Sequence, residues 1–117
     1  MKRVAIMRCL RSNDVCTGFA CMQAFQHKTG KFAEYGEEPV ELMAYCSCNG
    51  CGDTTFPEEG MREKMDFLKK MRLDAVHVGV CAKHRNADGE MVMCKKMAQL
   101  LQELSWSGIK IVEGTHD

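Results

Sequence analysis

Four short apolar runs alternate with three segments of helical periodicity, and this alternation restricts the fold more than any other feature of the chain. The runs cover residues 4–7, 40–45, 75–80 and 109–112, and the helical segments cover about 18–27, 57–71 and 90–104. Such alternation predicts parallel strands joined by right-handed helical crossovers. We therefore predict a single α/β domain over residues 1–117, with three layers and a mostly parallel four-stranded sheet in the flavodoxin-like order 2-1-3-4.

Helix-boundary signals support these segments. Thr17 is placed to cap the first helix and Gly30 to follow its end. Thr55 and Pro57 suit the start of the second helix, in which methionines recur at helical spacing. Residues 10–16, 31–38 and 83–89 are expected to be loops or irregular connections.

The charge balance restricts the partners of the protein. Sixteen Lys and Arg residues offset sixteen Asp and Glu residues, so the net charge is zero. A neutral chain has no general electrostatic attraction for nucleic acid or an anionic membrane. No apolar run approaches the roughly 20 residues that cross a bilayer, and the N-terminal apolar stretch is too short for a signal peptide. We expect a cytoplasmic protein that binds neither nucleic acid nor membrane.

The eight cysteines gather near the ends of the predicted strands. Cys9, Cys46 and Cys81 each follow an apolar run closely, and His116 follows the fourth run. Parallel strands end at one edge of a sheet, where open α/β folds bind ligands. In a reducing cytosol, thiols at this density favour metal binding or redox chemistry over structural disulfides. The pattern therefore predicts a thiol site at the C-terminal edge of the sheet.

A turn with two thiols, Cys48-Asn49-Gly50-Cys51, is the strongest local motif. Two residues between the cysteines allow both sulfurs to reach one metal ion, and Asn and Gly tolerate the backbone angles of a tight turn. The same spacing also suits a dithiol that exchanges disulfides.

The remaining candidates differ in how directly the pattern supports them. Cys94 is predicted near a helix start, where a thiol pKa is lowered, although it also fits the apolar face of that helix. His77 lies inside a strand and is expected to be a hydrogen-bonded core residue. Secondary candidates for metal binding are Cys16, Cys21, Cys46 and His84.

Several of these residues together resemble the CGGC-domain family of small prokaryotic proteins. The resemblance runs nearly end to end and is carried by the segment 6–9, Cys16, Cys21, Phe32-x-x-Tyr35-Gly36, Cys48-Asn49-Gly50-Cys51, the segment 74–78 with Cys81, Cys94, and Glu113-Gly114-Thr115-His116. Asn49 replaces one glycine of the namesake motif, and Cys46 is an additional thiol beside it. The resemblance implies a zinc-type site and no assigned reaction.

Three functions follow from these observations. The first is a metal-binding protein that holds zinc or an iron–sulfur cluster, with the ligands Cys9, Cys48, Cys51, Cys81, Cys94 and His116. The second is a thiol–disulfide redox protein that uses Cys48 and Cys51. The third is a structural or partner-binding α/β domain whose cysteines only pack.

Overall fold

The structure is a computed structural model that describes residues 1–50 and 58–116. The described residues form six strands, which are β1 (Lys2–Arg8), β2 (Val40–Ser47), β3 (Ala75–Val78), β4 (Lys83–Arg85), β5 (Met91–Met93) and β6 (Lys110–Glu113). They also form three α-helices, which are α1 (Phe19–His27), α2 (Glu58–Lys70) and α3 (Lys95–Trp106).

Four of the strands form a parallel sheet in the order β2-β1-β3-β6. β6 is the fourth strand predicted from the sequence, so the predicted order 2-1-3-4 is confirmed. The central strands β1 and β3 are apolar because both of their faces are covered. β1 therefore carries a run of four buried residues, Val4, Ala5, Ile6 and Met7.

The two faces of the sheet carry separate cores. On one face α2 and α3 pack through Met65, Leu68 and Leu104 against Met7 and Val76. On the opposite face α1 and a 3₁₀-helix (Gly30–Tyr35) cover Val4, Ile6 and Ala75, with Phe32 fully buried at the centre. Because side chains alternate between the faces of a strand, each strand contributes to both cores. This is the predicted three-layer arrangement.

His77 is a buried polar residue on the face of the sheet that α1 covers. It is fully buried and stacks on Phe32 with 4.1 Å between ring centroids. Its Nδ1 lies 3.1 Å from the carbonyl oxygen of Gly114, and its Nε2 lies 2.7 Å from the Tyr35 hydroxyl. Since a carbonyl can only accept, Nδ1 donates, and in the neutral imidazole that burial favours, Nε2 accepts from the Tyr35 hydroxyl. Burial lowers the pKa of His77. His77 is a hydrogen-bonded core residue, as predicted.

The segment before α3 differs from the prediction. Residues 83–93 form an antiparallel hairpin of β4 and β5 instead of a loop that leads into a helix at residue 90. Gly89 adopts a φ of +82°, which suits a tight turn, and the Asn86 side chain accepts hydrogen bonds from the N–H groups of Asp88 and Glu90. The sequence 91–93 is too short for its strand and helix patterns to be distinguished, so the helix start was predicted too early.

Smaller differences concern helix ends and connections. The predicted connections at 10–16 and 31–38 contain 3₁₀-helices, Leu10–Asp14 and Gly30–Tyr35. Gly18 caps α1, whereas Thr17 accepts a 3.3 Å hydrogen bond from the Phe19 N–H. The predicted cap Thr55 and first-turn Pro57 of α2 lie outside the described residues. Within residues 1–50 and 58–116, no helix has the length and apolarity needed to cross a membrane.

Candidate functional site

Three cysteines follow neighbouring strands at the C-terminal edge of the sheet. Cys9 follows β1, Cys48 follows β2, and Cys81 lies in a 3₁₀-helix (Val80–Ala82) that follows β3. β1 lies between β2 and β3, so Cys9 occupies the middle position. β2 is two residues longer than predicted, which places Cys46 inside the strand and makes Cys48 the thiol at the strand end. Cys9 and Cys81 follow their strands as predicted, whereas Cys48 takes the place predicted for Cys46.

Two consecutive main-chain N–H groups just after β1 donate to cysteine sulfurs that follow the neighbouring strands β3 and β2. The Cys9 N–H donates to Sγ of Cys81, and the Leu10 N–H donates to Sγ of Cys48, both with a donor–acceptor distance of 3.4 Å. The main chain supports this arrangement because the Cys48 N–H donates to the Arg8 carbonyl at 3.0 Å. Hydrogen bonds between neighbouring chain segments therefore continue beyond the ends of the strands. They place the sulfurs of Cys48 and Cys81 on either side of the segment formed by Cys9 and Leu10.

Cys94 lies near these cysteines, directly after the β4–β5 hairpin that follows Cys81. It is the N-cap residue of α3, and its N–H donates to the Ala82 carbonyl at 2.9 Å. This bond places Cys94 beside the turn that carries Cys81. The predicted position near a helix start is thus confirmed, and Cys94 also packs against the α2–α3 core. We call Cys9, Cys48, Cys81 and Cys94 the strand-end thiols.

The strand-end thiols influence one another electrostatically. The pKa of the Cys9 thiol is raised, chiefly by burial and further by the three other strand-end thiols, against an opposing backbone hydrogen bond involving Arg11. Like charges disfavour simultaneous ionisation, so a negative charge on a neighbouring sulfur disfavours the thiolate of Cys9. Cys48 is only 6% exposed, whereas Cys81 is exposed and Cys9 and Cys94 are intermediate. The group therefore opens to solvent on the Cys81 side.

The strand-end thiols are neighbours, but they are not arranged as a finished coordination shell. Within residues 1–50 and 58–116, no three His, Cys, Asp or Glu side chains are placed to hold a metal ion together. The seven described cysteines are all free thiols. Cys51, the second cysteine of the central motif, lies outside the described residues.

A lysine of α2 holds the turn that carries Cys48. Nζ of Lys64 donates to the Ser47 carbonyl and to Oδ1 of Asn49, at 2.7 Å in both cases. Burial raises the pKa of the nearby Cys46 thiol, and the positive charge of Lys64 partly opposes that rise. Lys64 was not among the predicted site residues, because its place on the polar side of a helix gives no indication of this contact.

Two other cysteines lie on the α1 side and have different partners. Sγ of the buried Cys21 lies 2.9 Å from the Thr115 hydroxyl oxygen, and the exposed Cys16 accepts a 3.3 Å hydrogen bond from the Gly18 N–H. The Tyr45 side chain packs against Gly18 so closely that a Cβ at Gly18 would lie 2.3 Å from the Tyr45 hydroxyl. We call Cys16 and Cys21 the α1 thiols.

The histidines proposed as ligands occupy separate places. The main chain of His116 lies against Gly30, because a Cβ at Gly30 would be 2.8 Å from the His116 Cα. His84 lies in β4 with an exposed side chain. A metal-binding role for either histidine stays a prediction.

Comparison with known proteins agrees with the resemblance seen in the sequence. The family model of the CGGC domain matches residues 3–116. An uncharacterised protein from Methanocaldococcus jannaschii is 34% identical over 125 aligned positions, which cover 97% of this chain and 86% of the relative. No solved structure is significantly similar to the chain. A family match over nearly the whole length, together with this relative, shows that the chain belongs to the CGGC-domain family.

Proposed function

We propose that this protein binds a thiophilic metal, either a zinc ion or an iron–sulfur cluster, through the strand-end thiols. The observation that carries the proposal is the pair of consecutive N–H groups, of Cys9 and Leu10, that donate to the sulfurs of Cys81 and Cys48. Hydrogen bonds to a thiolate favour its charged form, which is the form that binds metal. Such bonds to ligand sulfurs also tune iron–sulfur clusters.

The donor set fits these metals. Four cysteines are a usual ligand set for structural zinc and for both common iron–sulfur clusters. The burial and mutual repulsion that raise the pKa of Cys9 are offset when a cation neutralises the thiolates. Binding would require the four side chains to turn toward a common point. A bound zinc ion would supply a structural crosslink, and a cluster would supply electron transfer.

Two further residues, Cys51 and His116, are candidate ligands in this proposal. Cys51 is two residues beyond the Asn49 that Lys64 contacts, in the motif that gives the family its name. His116 follows β6 near the same edge of the sheet. Either residue would complete or replace one position of a four-ligand shell.

The redox alternative has weaker support. A thiol that attacks a disulfide must be accessible, whereas Cys48 is buried. The hydrogen bond from the Leu10 N–H to the Cys48 sulfur favours the thiolate, which both roles need, so the burial of Cys48 is what separates the two functions. We therefore keep metal binding as the proposed function.

The test is the metal content and visible spectrum of the full-length chain purified without oxygen. We expect about one metal site per chain, colourless if it holds zinc and with a broad sulfur-to-iron band if it holds a cluster. Cys48→Ser should copurify with less metal than the wild type, and the matched control Cys16→Ser should keep the wild-type content. Wild-type protein that carries no metal and takes up neither zinc nor iron would overturn the proposal.

A further inference from the structure

Lys64 makes an unusual pair of contacts for a lysine on a surface helix. It lies on α2 between the buried residues Met61 and Met65, and its side chain is half-buried. Its ammonium group reaches the end of β2 and donates to Ser47 O and Asn49 Oδ1, at 2.7 Å in both cases. Ordering a long lysine side chain costs rotamer entropy, so two short bonds in one geometry indicate a definite role.

The two acceptors flank one residue. Ser47 directly precedes Cys48 and Asn49 directly follows it, so the ammonium group spans the main chain at Cys48. Sγ of Cys48 accepts a hydrogen bond from the Leu10 N–H. Cys48 is thus fixed from two directions, by α2 through Lys64 and by the segment after β1 through Leu10.

The charge of Lys64 has a further consequence. Both acceptors are neutral, so the hydrogen bonds leave the positive charge of the ammonium group in place. Four thiolates around one divalent metal carry a net negative charge, since four negative charges exceed two positive ones. A cation held beside the Cys48 turn stabilises such a centre, and the partly buried position limits screening by salt.

We infer that Lys64 is a positioning residue of the thiolate site, which holds the Cys48 turn in place and balances the negative charge of the metal–thiolate centre. The inference rests on the proposed function and names a residue outside the cysteine set. It also gives α2, which carries no candidate ligand, a part in the site.

The test uses Co²⁺ as a spectroscopic probe with the full-length, metal-free chain under anaerobic conditions. The sulfur-to-cobalt band reports thiolate coordination and gives the affinity by competition with a chelator. We expect Lys64→Met to weaken Co²⁺ binding roughly tenfold, the lower end of the effect of residues that support metal ligands. Lys64→Arg should retain most of the affinity because it keeps the charge and the donors.

Lys70→Met is the matched control, since it removes the same charge from an exposed position six residues further along the same helix. It should leave the affinity unchanged. Asn49→Ala removes one acceptor of Lys64 and should also weaken Co²⁺ binding. Because both changes break the same contact, the double variant should lose less binding free energy than the sum of the two single losses. This coupling would identify the contact itself as the source of the loss.

Measuring unfolding of the metal-free variants in urea separates a structural role from a positioning role. If Lys64→Met lowers the stability but leaves the Co²⁺ affinity and spectrum unchanged, the inference is wrong and Lys64 only supports the fold. If Lys64→Met does not fold, Asn49→Ala and Lys64→Arg decide the question: wild-type affinity in Asn49→Ala overturns the inference. A wild-type chain that neither copurifies with metal nor binds Co²⁺ would instead overturn the proposed function.

Discussion

The strand-end thiols and the α1 thiols lie at the same end of one sheet, yet their surroundings differ. Cys21 is buried against the Thr115 hydroxyl, and Cys16 is held by a main-chain N–H two residues further along. The strand-end thiols instead gather from three strand ends and a helix start, where main-chain N–H groups point at two of the sulfurs. The strand-end thiols therefore bring cysteines together from several elements, whereas Cys21 is buried and Cys16 is exposed beside α1, and a main-chain N–H at the sulfur, which Cys16 also has, does not by itself distinguish the groups.

The largest expected effect is the difference in zinc affinity between a variant of a strand-end thiol and a variant of an α1 thiol. Removing one of four thiolates should cost roughly a quarter of the 10–16 kcal/mol typical of structural zinc, or about 3 kcal/mol. Cys48→Ser should therefore weaken zinc binding roughly a hundredfold. Cys21→Ser should bind zinc as the wild type does. Chelator competition measures both affinities, and equal losses in the two variants would remove the distinction between the groups.

Removing the metal should affect the two regions unequally. Cys81 and Cys94 flank the β4–β5 hairpin, so metal bound by both would close its base. A metal at a hundred times its dissociation constant adds about 2.7 kcal/mol of stability. Hydrogen exchange followed by mass spectrometry should show residues 83–93 losing protection in the apo protein, whereas residues 19–27 keep theirs. Uniform loss across both segments would contradict a local role of the metal.

Cys21→Ala should destabilise the fold without changing the metal site. The substitution leaves a small cavity and removes the partner of the buried Thr115 hydroxyl, which together should cost about 1–3 kcal/mol. Urea unfolding of the metal-free protein measures this loss, and metal analysis checks that binding persists. A variant that loses its metal would place Cys21 in the site.

The smallest predicted effect is the pH dependence of the α1 side. Burial lowers the pKa of His77 in the folded protein below its unfolded value of about 6.5. As the pH falls through that value, the unfolded chain takes up a proton first. The free energy of unfolding of the metal-free protein should then decrease by up to about 1.4 kcal/mol per pH unit, until the pH reaches the folded pKa.

Above about pH 6.5 the stabilising contribution of neutral His77 is fully present. His77→Asn should be less stable at neutral pH but show a flatter pH dependence between pH 7 and 5, measured by urea unfolding. An unchanged slope in His77→Asn would assign the acid sensitivity to other groups.

The sequence predicted the sheet because its signals are local. Each strand of the parallel sheet is an apolar run, and the helices between the runs leave right-handed crossovers as the natural connection. The β4–β5 hairpin was not predicted, because a strand of three residues is too short to show the alternation typical of strands. The segment Met91–Met93 also continues into the apolar pattern of α3 and was therefore assigned to the helix.

The candidate site was predictable only where it depended on strand ends. Cys9 and Cys81 were placed correctly because they follow apolar runs. Cys94 was predicted in the first turns of the third helix and is instead its N-cap residue, because α3 begins at Lys95. The extra length of β2 moved the strand end from Cys46 to Cys48. The Lys64 contact depends on how α2 packs against the sheet, and the Cys21–Thr115 contact joins residues 94 positions apart. Neither follows from local sequence, because each forms only when distant elements pack.

The most direct test of metal binding by the strand-end thiols is X-ray absorption at the edge of the metal that copurifies with the chain. We predict about four sulfur neighbours at about 2.3 Å, the usual metal–sulfur distance of thiolate sites. The Cys48→Ser variant reconstituted with the same metal should lose one sulfur neighbour, and Cys21→Ser should lose none. A wild-type spectrum that contains only oxygen and nitrogen neighbours would contradict metal binding by these thiols.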